Sequence, residues 1–180
     1  VIKAAIKASN VLRKIGIDMR RKLFKAIHDA FGGKLREIVC GGAPLRAEVA
    51  KFFDDIGIVV LNGYGITECS PLVAVNPYGK ARLRSVGTPI WGIDVKINYD
   101  EGQTTGEILV KGDNVFLGYY KNEEATNAVF TEDGWFRTGD MGVLDADGSL
   151  FIRGRSKCMI LGPSGQNIYP EEVETVINSQ

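Results

Sequence analysis

Apolar residues recur at Val1, Ala5, Ala8, Leu12 and Ile15, the spacing of one helix face, and the pattern ends at Gly16. Asp18, an N-cap type of residue, precedes a second stripe of Met19, Leu23, Ile27 and Phe31 that stops at Gly32-Gly33. Residues 37–40 read as a short buried strand, broken by Gly41-Gly42-Ala43-Pro44. Pro44 suits the first turn of a helix whose apolar face is Val49, Phe52, Phe53 and Ile56. Residues 58–61 form the next strand. Helices alternating with short apolar strands predict an α/β unit with a parallel sheet.

After Pro77 the pattern changes. Val86 and residues 95–97, 107–110, 143–144 and 150–152 read as short strands between Gly-rich turns, and Asp147-Gly148 is a hairpin signal. One helix interrupts over 123–129. The expectation is a small, largely antiparallel β-unit. A Gly/Pro/Ser loop over 162–165 and a helix opening at Pro170-Glu171-Glu172 follow. There is no internal repeat. The pattern begins within one helix and stops within another, which predicts a piece of a larger protein.

Composition narrows the classes. With 44% hydrophobic and 24% charged residues among 180, the chain is globular in type and neither disordered nor collagenous. Its longest apolar run, residues 56–61, is too short to span a bilayer. Lys3, Lys7, Arg13 and Lys14 interrupt residues 1–17, so no signal-peptide core is expected there. Cys40, Cys69 and Cys158 are isolated and His28 is the one histidine. That argues against a zinc site or a disulfide framework and predicts a reducing, cytoplasmic compartment. Cys40 and Cys69 read as buried small hydrophobes, His28 as a partly exposed structural residue, and Trp91 and Trp135 as core or barrel-lining residues.

Net charge is zero, with no overall bias toward nucleic acid. The charge is nonetheless uneven. Residues 1–36 carry ten Lys/Arg against Asp18 and Asp29, while 37–180 carry twelve against twenty acids. Interleaving with apolar residues reads as a solvated helix face. A non-catalytic module docking peripherally on an anionic membrane is the second reading.

Candidate chemistry sits after the strands of the α/β part, where open sheets bind ligands. Gly41-Gly42-Ala43 allows close backbone approach. In Asn62-Gly63-Tyr64-Gly65-Ile66-Thr67-Glu68, Tyr64 offers a stacking face, Thr67 a hydroxyl for a phosphate oxygen, and Glu68 a hard oxygen for Mg²⁺. An ordinary turn with Tyr64 in the core is the alternative. Glu68 stands where a dinucleotide fingerprint needs its third Gly, and no Walker A sequence occurs. Downstream, Asp140 after a Gly turn suits two ribose hydroxyls, and Arg155 a ribose or phosphate oxygen. Arg137 either braces the Asp140 turn or meets a ligand.

Six motifs in order carry a family resemblance. They are Gly41-Gly42-Ala43-Pro44-Leu45, Tyr64-Gly65-Ile66-Thr67-Glu68, Gly106-Glu107-Ile108-Leu109-Val110-Lys111-Gly112, Gly134-Trp135-Phe136-Arg137-Thr138-Gly139-Asp140, Gly154-Arg155-Ser156-Lys157, and residues 165–174. Together they resemble the adenylate-forming acyl-CoA synthetase superfamily, over roughly residues 20–180. Phe31-Gly32-Gly33-Lys34-Leu35-Arg36 and Cys69-Ser70-Pro71 are most similar to long-chain fatty acid–CoA ligases. An aryl- or amino-acid-activating adenylation domain is the alternative within the superfamily.

The resemblance implies ATP-dependent activation of a carboxylate and transfer of the acyl group to CoA, with Mg²⁺ as cofactor. It implies a fatty acid or other carboxylic acid as substrate, and catalytic roles for Thr67 and Glu68. Gly41, Gly42 and Ala43 would lie against adenine, Asn62 would bond its amino group, and Tyr64 would stack on it. Gly65 would border the acyl chain, Thr67 would meet phosphate, and Glu68 would hold Mg²⁺. Asp140 would take the ribose hydroxyls with Arg155 nearby, and Lys157 would be the hinge. It implies the end of an α/β parallel-sheet subdomain over 1–78, a distorted antiparallel β-barrel over 79–154, and the hinge and start of a small C-terminal α+β domain over 155–180. The family's Gly/Ser/Thr-rich phosphate loop is absent, and no lysine follows Lys157, so the 180 residues alone are expected to lack ligase activity. Cys158 departs from the usual Asp. Apolar surface left uncovered on residues 1–78 predicts self-association.

Overall fold

A computed structural model describes residues 2–43, 45–79, 82, 84–162 and 167–177. Pro44 and most of the loop at 162–165 lie outside these. The chain divides into two compact units, Val1–Leu61 and Asn62–Gln180.

The first unit is helical with short strands. Helix α1 spans Ile2–Lys14, α2 Arg20–Leu23, α3 Lys25–Ala30 and α4 Ala47–Ile56; strand β1 spans Glu37–Cys40, and β2 starts at Val59 beside it. Phe24, Ile56 and Ile58 form a small core, with Ile6, Ile27, Ile38 and Phe53 against it. Helices α1 and α4 lie where expected, whereas the single helix expected over 19–31 is broken at Phe24 into α2 and α3, and the buried faces are turned by about one residue. Ser9 is buried while Ala8 and Ile15 face solvent, and Phe24 and His28 are buried while Leu23 and Phe31 are exposed. The reason is polar as much as apolar. Asn10 Nδ2 donates to Asp55 Oδ1 at 2.9 Å, and Lys51 Nζ to Asp55 Oδ2 at 2.6 Å, which fixes how α1 meets α4. His28 is fully packed, with Nε2 2.8 Å from the Ile56 carbonyl oxygen, so its role is structural but not partly exposed. The N-cap of α2 is Met19 rather than the expected Asp18, whose Oδ1 nonetheless accepts the Arg20 backbone N–H at 3.0 Å from one position upstream. Among the described residues, three of the ten basic residues of 1–36 form ion pairs with acids: Arg13 and Arg20 on Asp54, Arg20 on Asp18 and Lys25 on Asp29.

In the second unit the far half of β2 (Val59–Gly65) pairs with β3 (Leu72–Val75), and β3 with β4 (Thr88–Pro89), both antiparallel. The expected parallel sheet therefore does not describe this part. Only residues 66–71 connect β2 to β3, a reversal too short for the crossover that parallel strands require. A second sheet has the order β5 (Ile93–Asn98), β6 (Gly106–Gly112), β7 (Phe136–Leu144) and β8 (Leu150–Arg155), all antiparallel. It is open, with β5 and β8 at its edges among the described residues. Four strands are too few to close a barrel, and the expected barrel is corrected to a sheet. Helix α5 spans Glu123–Val129, and the predicted hairpin turn at Asp147-Gly148 joins β7 to β8. A two-stranded pair, β9 (Ile160–Leu161) and β10 (Asn167–Ile168), precedes α6 (Pro170–Ile177).

The core of this unit gathers Val73, Ile108, Val110, Phe136 and Leu150, with Tyr64 and Cys69. Trp91 is 99% exposed and Trp135 half-buried, with Lys96 Nζ 4.2 Å from the centre of its ring, so neither lines a core. Cys40 is half-buried and Cys158 exposed. Among the described residues no helix is long and apolar enough to cross a membrane.

Candidate nucleotide site

Strand β2 delivers Asn62, Tyr64 and Gly65, then turns sharply. The Ile66 N–H donates to the Pro71 carbonyl oxygen at 2.8 Å, and the β2/β3 register slips at Tyr64/Gly65. A Cβ on Gly65 would sit 2.2 Å from that Pro71 oxygen, so only glycine fits the bulge. The chain then forms a 3-10 turn, Thr67–Cys69, that presents Thr67 exposed and Glu68 half-buried.

Asp140 comes from the middle of β7, not from a loop. Gly139, at φ 70°, bends the strand just before it, and Asp140 pairs with Arg155 across β7/β8. Its side chain is buried, with the residue 5% exposed, and both oxygens are engaged. Tyr64 Oη donates to Oδ2 at 2.5 Å, and Arg155 Nε meets Oδ1 at 2.9 Å. Burial holds the carboxyl above its ordinary value, against the opposing pull of the Tyr64 hydrogen bond and the Arg155 charge. Burial and the Asp140 charge push the Tyr64 phenol up, so it remains a donor. Tyr64 itself is 8% exposed and its ring belongs to the core.

The bend at Asp140 is braced from β6. Glu107 Oε1 accepts the Gly139 N–H at 3.2 Å, and Glu107 Oε2 pairs with Arg137 at 2.7 Å. Thr138 Oγ1 donates to the Ile108 carbonyl oxygen at 2.8 Å and accepts the Asp140 N–H at 3.0 Å. Of the two roles open to Arg137, the structure assigns bracing, through Glu107. Asn62 Nδ2 donates to the Ser85 carbonyl oxygen at 3.3 Å. Buried Asn76 ties the same region, donating to Ser85 at 2.7 Å and accepting the Arg82 N–H at 3.0 Å.

Glu68 Oε1 accepts a hydrogen bond from Tyr119 Oη at 3.0 Å. Burial and that bond keep the Tyr119 phenol above its ordinary value, and so protonated. Burial, with the Glu68 charge, pushes the neighbouring Cys69 thiol to about 11, which makes it inert at neutral pH. Lys157 is exposed in the 3-10 turn Ser156–Cys158 that follows β8. Gly41, Gly42 and Ala43 form an exposed bend after β1 in the first unit, with Gly42 at φ 81°.

Tyr64, Asp140 and Arg155 are thus in direct contact, and Glu68 belongs to the same unit. Sequence reasoning missed the roles of Glu107, Tyr119 and Asn76. Asn76-Pro77 carries a turn signal, whereas Tyr119 stands out only as the first of the aromatic pair Tyr119-Tyr120.

No cluster of three or more His, Cys, Asp or Glu among the described residues could hold a metal ion. Glu68 is a single half-buried carboxylate. That donor set fits Mg²⁺ arriving with phosphate oxygens, which needs one or two carboxylates, and does not fit a resident protein-only cage.

Residues 7–120 match the family described as AMP-binding enzyme. The chain is 41% identical over 154 residues to the long-chain-fatty-acid–CoA ligase FadD15 of Mycobacterium bovis, covering 86% of this chain and 25% of that protein. It is 40% identical over 147 residues to a feruloyl-CoA synthase of Amycolatopsis sp, covering 78% and 30%. The O-succinylbenzoate coenzyme A synthetase MenE of Bacillus subtilis, solved with ATP and a magnesium ion, superposes with a TM-score of 0.72 at 32% identity, over 86% of this chain and 35% of that one. The chain spans about a quarter to a third of the length of these relatives. With the six motifs above, these likenesses place the chain in the AMP-binding enzyme family of the adenylate-forming superfamily.

Proposed function

We propose that the chain is part of an AMP-forming acid–thiol ligase, which activates a long-chain fatty acid with ATP as an acyl-adenylate and transfers the acyl group to CoA. The observation that carries this is the meeting of Tyr64, Asp140 and Arg155, residues from three separated motifs, around one buried carboxylate. Such a carboxylate can accept both hydroxyls of a ribose. Because both oxygens are already engaged, a ribose must displace a partner. Arg155, 60% exposed along its side chain, yields more readily than buried Tyr64.

Asn62 and Tyr64, with Gly41, Gly42 and Ala43, are the adenine-side residues of this reading. Gly65 borders the acyl group, Thr67 meets phosphate, and Lys157 is the hinge. Glu68 would hold magnesium, which when bound neutralises charge on the phosphate oxygens. The division at 78 and 154 belongs to the same reading. Relatives named for long-chain fatty acids favour that substrate class; the feruloyl-CoA synthase keeps an aryl acid as the second reading.

The test is ATP–pyrophosphate exchange by the full-length protein carrying this segment, with acetate, octanoate, palmitate, benzoate and amino acids. Stimulation by palmitate is expected. Asp140→Ala should lower it about ten- to a hundredfold, the scale of a lost hydrogen bond to a charged group. Exchange with benzoate alone would move the substrate to aryl acids. No exchange with any acid, from folded protein, would overturn the ligase reading. The 180 residues alone are expected to show none.

A further inference from the structure

One loop, residues 113–121 between β6 and α5, grips the Glu68 turn at several points. The Phe116 N–H donates to the Glu68 carbonyl oxygen at 2.7 Å. Asn114 Nδ2 donates to the carbonyl oxygens of Cys69 at 2.7 Å and Leu72 at 2.9 Å. Tyr119 Oη then reaches the side chain itself, at Oε1.

Tyr119 is held in place for this. Its N–H donates to Thr126 Oγ1 at 2.9 Å, and that hydroxyl donates to the Asn122 carbonyl oxygen at 2.8 Å. Gly118, at φ 146°, brings the backbone so close that a Cβ would lie 2.6 Å from Thr126 Cγ2. The Tyr119 ring stands edge-on to Phe116, with centres 4.8 Å apart, and Phe116 is anchored against Phe130 and Phe136. The backbone and Asn114 bonds suffice to fasten the turn. A phenol on a residue 37% exposed, bonded to a half-buried carboxylate, adds little to that, because water competes for both groups. What it does add is a fixed orientation for the carboxylate.

We infer that Tyr119 is a positioning residue for Glu68: its hydroxyl pins Oε1 and leaves Oε2 to ligate a divalent cation that enters on nucleotide phosphates. This rests on the reading of Glu68 as the metal-holding carboxylate. Groups that orient a metal-binding side chain restrict it to the productive geometry, and their loss costs about ten- to a hundredfold in metal affinity.

The test uses the full-length protein carrying this segment, with Mn²⁺ replacing Mg²⁺. Binding of Mn²⁺ with ATP is read by the electron paramagnetic resonance of the metal, and metal-free ATP binding by calorimetry in chelator. Tyr119→Phe keeps the ring on Phe116 and removes only the hydroxyl. It should weaken Mn²⁺–ATP binding about tenfold, leave metal-free ATP binding unchanged, and add no loss in a Glu68→Gln background. The Mg²⁺ needed for half-maximal exchange should rise with the KM for the acid unchanged. Wild-type Mn²⁺–ATP binding by Tyr119→Phe, with loss in Glu68→Gln, would overturn the Tyr119 assignment alone. Equal losses with and without metal would also overturn it, as a general distortion. Unchanged binding by Glu68→Gln would overturn the reading of Glu68 and the inference with it.

Discussion

Tyr64 and Asp140 stand 76 positions apart and share one hydrogen bond, so the site depends on a contact between β2 and β7. The bond is formed by a phenol that stays protonated and a carboxylate that burial makes harder to ionise. Tyr64→Phe removes the donor and leaves Asp140 Oδ2 buried without it. A loss of about 1–3 kcal/mol is expected, read as a lower urea midpoint at neutral pH. The Tyr64 bond favours the ionised form of Asp140, so the loss must depend on pH. The Asp140 carboxyl titrates above the ordinary 3.8 in the folded protein, and acidification through that point makes it neutral. The gap between wild type and Tyr64→Phe should therefore narrow in acid; a gap independent of pH would show that the bond does not set the charge of Asp140.

At the scale of elements, α1 and α4 are joined through one carboxylate. Burial opposes ionisation of Asp55, but the hydrogen bonds from Lys51 and Asn10 outweigh it and hold its carboxyl below the ordinary value. A lowered value means stability that is present above 3.8 and lost as pH falls through the folded value. Asp55→Ala should thus lower the urea midpoint of α4, followed by amide exchange, at neutral pH and much less in strong acid. The element pattern was legible where periodicity was local: α4, α5, β1, β5, β6 and the β7–β8 hairpin occur where the pattern put them. The buried faces of α1 to α3 were not: His28 is carried inward by its bond to the Ile56 carbonyl, and Ser9 by the neighbouring Asn10–Asp55 bond that sets how α1 meets α4, and hydrophobic spacing registers neither. The helix–strand alternation that predicts a parallel sheet stops at β2: the six-residue turn after it adds β3, and then β4, in antiparallel pairing.

Across the whole molecule, exposed apolar side chains are numerous in the first unit, among them Val11, Ile15, Leu23, Phe31 and Val39. We expect the 180-residue chain to self-associate, seen as a scattering mass that rises with concentration; a monomer throughout the range would refute it. Arg13, Arg20 and Lys25 are paired with Asp54, Asp18 and Asp29, and the basic residues of 1–36 interleave with apolar ones along the helices, which favours a solvated helix face over membrane docking. Binding to vesicles of anionic lipid should accordingly be weak and unaffected by salt up to physiological ionic strength, whereas tight binding lost on adding salt would restore the membrane reading.

The sequence by itself determined the family, because six short motifs in order are a local and cumulative signal that needs no coordinates. It also determined which side chains could do the chemistry, since a Thr, a Glu, an Asp and an Arg carry their donor and acceptor groups wherever they are placed. Only the tertiary structure decided how those groups are held. That Asp140 sits in a bent strand with both oxygens engaged, that Arg137 acts through Glu107, and that Tyr119 reaches Glu68 from 51 residues away are outcomes of strand register and ring packing. Such contacts join residues distant along the chain, and their energy depends on geometry and burial that composition and spacing do not carry.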